Sequence, residues 1–282
     1  MGRRDDQRIA AAERRRQLRS LAASLSVDRE QQGCGREIRR GQPGSPLEVL
    51  TMKVWCHRIW VCPLCGFSAA GKRAATLESR LRHWTDQGGV AALLTLCQSH
   101  RLDDPLTDLW SHLEHGWTAL TRGSGWLTVR KTYGIRGYQR ITEVVHNPRT
   151  GWSPHIHAVL FMDNGTELDG LSTAVGTRFT RGINTSGGWA QVGLQDIRSV
   201  ARGTERRLAQ YLLKGTTEYV SRDGSRTPMA VLGRLHDTHH GRELWEEFSA
   251  AVSPSIRRKQ IACSQKLDRL RPPYPLAAPT PW

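Results

Sequence analysis

The sequence predicts an α+β fold, on three observations. Short apolar and β-branched runs, such as Val90–Cys97 and His155–Met162, interleave with longer segments whose apolar residues recur at helical spacing. Two strand runs, Arg136–Val145 and His155–Met162, flank a loop punctuated by Gly151 and Pro154, which predicts an antiparallel hairpin. An apolar content of 38% over 282 residues is enough for one large core with a small appendage.

The hairpin carries the chemistry. Side chains on a strand alternate faces, so His155 and His157 point the same way. Two imidazoles on one face can share one metal ion. Pairing with the strand that contains Glu143 brings a hard oxygen ligand beside them.

The other elements follow in order. Residues 1–30 are Arg-rich with Ala and Leu, as in a helix; the run is read as a solvated face or as an arm that contacts phosphates. Residues 31–49 are rich in Gly, Pro and Ser and read as a linker or irregular loop. Residues 66–87 form a basic amphipathic helix closed by Gly88 and Gly89. Val90–Cys97 is a continuous apolar strand inside a sheet, and Leu102–Leu120 has helical spacing. Trp126–Tyr133 is a short helix or turn, and residues 163–188 a helix or long loop. Trp189–Val200 alternates as a strand, and Glu205–Lys214 is a helix closed by Gly215. Residues 221–240 read as a polar loop, Arg242–Ala251 and Ile256–Leu270 as helices, and 271–282 as an extended Pro-rich tail.

Six cysteines contribute a second motif. Cys62-Pro-Leu-Cys65 is a knuckle in which both sulfurs can bind one tetrahedral zinc, with a redox pair as the alternative. Cys56 lies six residues upstream and Cys34 further back, completing four thiolates; His57 is a substitute for Cys34. Cys97 and Cys263 sit in apolar strand-like and helical contexts as small core residues. Residues 1–25 lack the apolar run of a secretory signal, so a cytoplasmic location is expected and a disulfide framework is not. No run approaches membrane-spanning length.

A net charge of +15 and a pI near 10.3 call for a polyanionic partner, nucleic acid before an acidic membrane surface. Lys72, Arg73 and Arg140 are candidate phosphate contacts within the basic segments Lys72–Arg82, Arg130–Arg140 and Arg257–Arg271.

These motifs, in this order, resemble the replication initiator (Rep) proteins of rolling-circle plasmids, members of the HUH endonucleases. The resemblance rests on Cys56-x5-Cys62-Pro-Leu-Cys65, Leu93–Leu96, Arg140-x-x-Glu143, Gly151–His157, Tyr211–Lys214, Leu244–Phe248 and Ser264–Leu267. It covers about residues 34–270. It implies an antiparallel sheet of about five strands with helices on one side, plus a small zinc segment. It implies nicking and rejoining of one DNA strand at a replication origin, with Mg²⁺ or Mn²⁺ held by Glu143, His155 and His157. Tyr211 is then the nucleophile that forms a 5′-phosphotyrosine link, and Lys214, one turn on, supplies positive charge. Implied partners are origin DNA, single-stranded or extruded as a hairpin, with a host helicase and polymerase and no membrane.

Two positions depart from the pattern. Arg207 stands where some members carry a glutamate four residues before the tyrosine, and Ser153 where many carry a histidine. Glu205 is on another helical face from Tyr211, and Glu218 is two turns away. Other readings are a conjugative relaxase, a single-strand transposase, or a zinc-stabilised DNA-binding regulator without catalysis. The implied organisation is a basic arm (1–33), a cysteine-rich segment with the basic helix (34–87), the nicking core (88–220), a helical segment (221–270) and the tail (271–282).

Overall fold

A computed structural model describes residues 3–40, 50–164, 168–235, 238–256, 258–264 and 267. The Pro-rich tail, Arg257, Gln265, Lys266 and residues 268–271 of the last basic segment lie outside the described residues.

Two strands, β1 (Glu37–Arg40) and β2 (Leu50–Lys53), form a separate antiparallel ribbon. Five more, β3 (Val90–Leu96), β4 (Ile135–Asn147), β5 (Gly151–Met162), β6 (Asp196–Ser199) and β7 (Ile261–Cys263), form an antiparallel sheet in the order β6-β3-β5-β4-β7. The helices are α1 (Arg3–Ser24), α2 (Arg29–Gly33), α3 (Pro63–Asp86), α4 (Leu106–Thr121), α5 (Gly123–Thr132), α6 (Asp169–Thr185), α7 (Glu205–Leu212), α8 (Pro228–Leu235) and α9 (His239–Ala251).

The sheet has helices on both faces, not on one. The strands dictate this, because β3 and β5 are apolar at odd and even positions alike. Ile156, Ala158, Leu160 and Met162 pack against Leu113 and Trp117 of α4, Trp126 of α5 and Val175 and Phe179 of α6. Val159 and Phe161, on the other face, meet Leu77 and Leu81 of α3 and Ala209 and Leu212 of α7. A third cluster joins Leu18 and Ala22 of α1 to Trp110, Trp152, Leu232, Trp245 and Phe248. Each fully buried side chain of this size contributes about 1.5–3 kcal/mol by leaving water. The N-terminal basic helix is therefore docked by a buried apolar edge, with Leu18 and Ala22 both under one-twentieth exposed.

Several segments differ from the sequence reading, each for a physical reason. The supposed linker 31–49 contributes α2 and β1, because Glu37–Arg40 finds its partner in Leu50–Lys53. Within Trp189–Val200 the regular strand is Asp196–Ser199, paired with β3, while Trp189 makes a single antiparallel bridge to Ser99 and Val192–Leu194 a tight 3-10 turn. The supposed loop 221–240 contains α8, whose Met229, Val231 and Leu232 are buried. Ile261–Cys263, read as helix, is the fifth strand, because the free edge of β4 pairs with it from Gln139 to Ile141. Cys263 is accordingly a strand residue, and it and Cys97 are only partly buried. The helix read from Leu102 begins at Leu106, after Pro105. Pro154, read as loop punctuation, lies within β5 opposite Val144. Among the described residues no helix is long and apolar enough to cross a membrane.

Candidate active site

The β4–β5 hairpin builds the site directly. Glu143 lies opposite His155 in the ladder, and Ile141 opposite His157. Glu143, His155 and His157 thus project from the sheet face that α3 and α7 cover. Glu143 Oε2 is 3.3 Å from His155 Nε2 and 3.2 Å from His157 Nε2. The ligand atoms of the three residues lie within 4.8 Å of one another. Glu143 is 2% exposed and His157 4%.

The hydrogen bonds behind the ring atoms fix what those atoms present. His155 Nδ1 is 3.2 Å from the carbonyl of Ser153, which only accepts, so Nδ1 carries the proton. The Nε2 lone pair of a neutral ring then faces the Glu143 carboxylate. Two acceptors at that distance are compatible once a cation is shared between them or the ring is charged. The other carboxylate oxygen, Glu143 Oε1, is buried with no hydrogen bond among the described residues. Two nitrogens and a carboxylate, whose buried Oε1 has the Lys214 ammonium at 3.5 Å but no hydrogen bond, fit a divalent cation such as Mn²⁺ or Mg²⁺. His157 Nδ1 meets the Thr95 hydroxyl at 3.2 Å, across the β3–β5 ladder where Thr95 and His157 are direct partners.

Electrostatics agree with the geometry. Burial pushes the Glu143 carboxyl up, but with the rings protonated the hydrogen bonds from His155 and His157, and the charges of His155 and Lys214, outweigh it. The carboxyl is held well below the usual carboxylate range. Burial, with the charges of His155 and Lys214, pushes the His157 imidazole down against the opposing pull of Glu143. Both groups are thus held in the forms that bind a metal, carboxylate and neutral imidazole.

Tyr211 reaches this centre from α7. Its ring centroid is 6.0 Å from that of His157, and the residue is 47% exposed. Lys214 is not on the helix with it. The helix ends at Leu212, and Lys214 begins a 3-10 turn that swings its side chain back over the tyrosine. Lys214 Nζ lies 3.6 Å from the Tyr211 ring centroid and 3.5 Å from Glu143 Oε1. It also lies 5.3 Å from the ring centroid of Tyr219. A shallow cavity of about 340 Å³ opens beside Lys214, between α3 and α7, with Phe67 and Gln210 in its wall.

Neither glutamate near Tyr211 in sequence is available to it. Glu205 is buried and accepts from the Gly203 amide at 2.9 Å. Glu218 is held by Arg14 of α1 through two bonds of 2.6 and 2.9 Å. Arg207 is exposed.

The four cysteines of the second motif also converge. Cys34, Cys56, Cys62 and Cys65 are all buried, with sulfur–sulfur separations of 3.5 Å (Cys62–Cys34), 3.6 Å (Cys34–Cys65) and 3.7 Å (Cys56–Cys65). A disulfide would require about 2.05 Å. A tetrahedron of zinc–sulfur bonds of about 2.3 Å has edges of about 3.8 Å, close to what is seen. The donor set fits zinc. Hydrogen bonds from Cys56 and Cys62 pull the Cys65 thiol down to about 4, while those of Cys62 to Cys56 and Cys65, with burial, push the Cys62 thiol up. His57, the alternative fourth ligand, is exposed, with a left-handed backbone (φ 56°).

The proposed DNA contacts fare unevenly. Lys72 is exposed on α3. Arg73 is partly buried and donates to Gln260 Oε1 at 2.6 Å. Arg140 is 4% exposed and makes a bidentate pair with Glu114 at 2.8 and 3.0 Å, over the Trp117 ring. It sits on the face of β4 opposite Glu143 and is a structural ion pair, not an exposed phosphate contact. Sequence reasoning gave Thr95 no role of its own, although one polar residue in an otherwise apolar strand was a visible signal.

Two curated proteins are similar to part of the chain. One is "Protein rep" of Streptomyces lividans, 30% identical over 138 residues, which is 40% of this chain and 30% of that protein. The other is "Neomycin resistance protein" of Streptomyces cyanogenus, 29% identical over 136 residues, 40% of this chain and 31% of that protein. The similarity thus spans less than a third of the length of either relative. No family profile matches the chain, and no solved structure matches it significantly. The likeness to Rep-type replication proteins expected from the motifs agrees with the name of the first of these relatives.

Proposed function

We propose that the chain is a replication initiator of the HUH endonuclease kind, which nicks and rejoins one DNA strand at a plasmid origin through a covalent tyrosine link. The observation that carries this reading is the convergence of Glu143, His155 and His157 on one point, with the Tyr211 ring and the Lys214 ammonium beside it. Similarity to a protein named for replication supports the biological setting.

The chain's own groups divide the work. Glu143, His155 and His157 hold Mg²⁺ or Mn²⁺, which when bound neutralises charge on the scissile phosphate. The Tyr211 oxygen attacks phosphorus, the bond from phosphorus to the 3′ oxygen breaks, and that oxygen leaves as a 3′-hydroxyl, taking up a proton as the phenol gives one to solvent. The 5′ side of the strand remains on Tyr211 as a phosphodiester, so the reverse attack by a 3′-hydroxyl rejoins DNA without another energy source. Lys214 supplies positive charge to the phosphate from its position over the ring. Thr95 and the Ser153 carbonyl hold the two imidazoles in the orientation that presents Nε2. The four cysteines hold structural zinc. Origin DNA is the substrate, and a helicase and polymerase act on the freed 3′ end.

The test is incubation with single-stranded origin oligonucleotide and Mn²⁺, followed by denaturing electrophoresis. An SDS-stable protein–DNA adduct forms with the wild type and is absent from Tyr211→Phe. Binding without an adduct under any divalent metal would instead mark the protein as a zinc-stabilised regulator.

A further inference from the structure

The β1–β2 ribbon stands apart from the central sheet and has no role in the site just described. It is clamped at its base. Cys34 precedes it and Cys56 follows it, both buried in the four-cysteine cluster, whose other two members open α3. Gly35 donates to the Val54 carbonyl at 2.8 Å, and Val54 to the Arg36 carbonyl at 2.9 Å, so the pairing runs down to the cluster. Beyond that base the described side chains of the two strands are exposed. Arg36, Glu37 and Lys53 are exposed, as are Ile38 (47%), Met52 (53%) and Trp55 (43%). Ile38 and Met52 are direct partners across the ladder, so two large apolar side chains stand together on one face in water.

A two-stranded ribbon is marginal by itself, and the exposed apolar pair Ile38 and Met52 offers a surface to a partner. The charge says which. Residues 36–40 and 50–53 carry four basic residues, Arg36, Arg39, Arg40 and Lys53, against one acid, Glu37. The dimensions agree, since a two-stranded ribbon of this kind fits the B-DNA major groove of about 12 Å. There Ile38 and Met52 can contact thymine methyl groups while the exposed Arg36 and Lys53 meet phosphates.

We propose that the β1–β2 ribbon is a duplex-reading element that enters the major groove, held rigid by the cysteine cluster at its base. The choice of DNA as the partner rests on the replication reading. Nicking requires an unpaired strand at Tyr211, whereas a surface of this shape reads paired DNA, so the two ends of the chain's cysteine segment and core act on different parts of one origin.

The test measures binding of the full chain to a fluorescein-labelled 30-bp duplex of mixed sequence across a salt series, and separately selects from a randomised duplex library. Arg36→Ala/Lys53→Ala lowers duplex affinity at least tenfold and reduces the salt slope by about two, one for each lost phosphate contact. Ile38→Ala/Met52→Ala keeps the salt slope and loses the enrichment of one sequence over others. Both variants form the covalent adduct with a single-stranded oligonucleotide as the wild type does. As a measurement independent of variant stability, benzoylphenylalanine in place of Met52 crosslinks to the duplex on illumination. Duplex affinity and selection within twofold of wild type in both variants, or no crosslink from position 52, overturns the proposal. A wild type that binds duplex through the ribbon yet forms no adduct refutes the nickase reading and leaves the ribbon assignment standing.

Discussion

Replacing Thr95 with valine keeps the shape and β-branching of the side chain and removes its hydroxyl. That hydroxyl faces His157 Nδ1 at 3.2 Å, and the imidazole is only 4% exposed, so no solvent stands ready to replace it. Without it the ring nitrogen is left unpaired in the sheet interior, and the ring is free to turn or to move its proton to Nε2, the atom that faces Glu143. Loss of such a partner behind a metal-bound histidine weakens the metal by about 10–100-fold, which corresponds to about 1.4–2.8 kcal/mol. The assay is adduct formation with single-stranded origin oligonucleotide as a function of Mn²⁺. The half-saturating Mn²⁺ concentration rises by that factor, while the rate at saturating metal stays near that of the wild type. Thr95→Ser, which restores a hydroxyl, recovers most of the loss. A half-saturation point within twofold of wild type in Thr95→Val refutes the argument that Thr95 positions His157.

Three further outcomes are expected. Burial, with the charges of His240 and Arg226, pushes the His146 imidazole down to about 4, so its neutral form stabilises the fold fully above pH 6.5 and that stability is lost as pH falls toward 4. From the shift, denaturant melts at pH 7 and pH 5 differ by about 2 kcal/mol from this group alone, and His146→Gln removes that difference; an unchanged pH dependence contradicts it. With zinc on the four cysteines as proposed, metal analysis finds one ion per wild-type chain and none in Cys65→Ser, which breaks the sulfur cluster; retention of stoichiometric zinc in the variant sinks the assignment. Arg140→Met leaves Glu114 without its partner and costs about 2 kcal/mol, less than for a fully buried pair because Glu114 keeps some water. It leaves the salt slope of DNA binding unchanged, and a slope reduced by about one would return Arg140 to the phosphate contacts.

What could be read from sequence divides along the range of the interactions involved. The hairpin and the convergence of its three candidate ligands were legible because period-two alternation and one short loop decide both pairing and face, and the ladder opposes Glu143 to His155 as that pattern requires. The four cysteines were legible by spacing, while the choice of Cys34 over His57 depended on how the chain folds back through β1 and β2. The short strands β6 and β7 were not legible, because three or four residues acquire strand character only from the edge they join. The doubly apolar runs of β3 and β5 did contain the second layer of helices. The family resemblance pointed to one layer, and the residues themselves pointed to two. Arg140 looked like a DNA contact because it is basic and near the site, yet alternation alone puts it on the opposite face from Glu143, where Glu114 receives it. Lys214 reached its place over Tyr211 by a route the helical spacing did not anticipate, through a 3-10 turn.

In the proposed reaction Tyr211 supplies the oxygen of the covalent link, and a peptide map of the adduct locates that oxygen. Trypsin cuts after Arg207, Lys214 and Arg222, so Tyr211 and Tyr219 fall in different peptides, 208–214 and 215–222. After nuclease trimming of the DNA, a nucleotide mass is expected on peptide 208–214, with 215–222 unmodified. A nucleotide on 215–222, or no modified peptide from a protein that binds origin DNA and Mn²⁺, contradicts it.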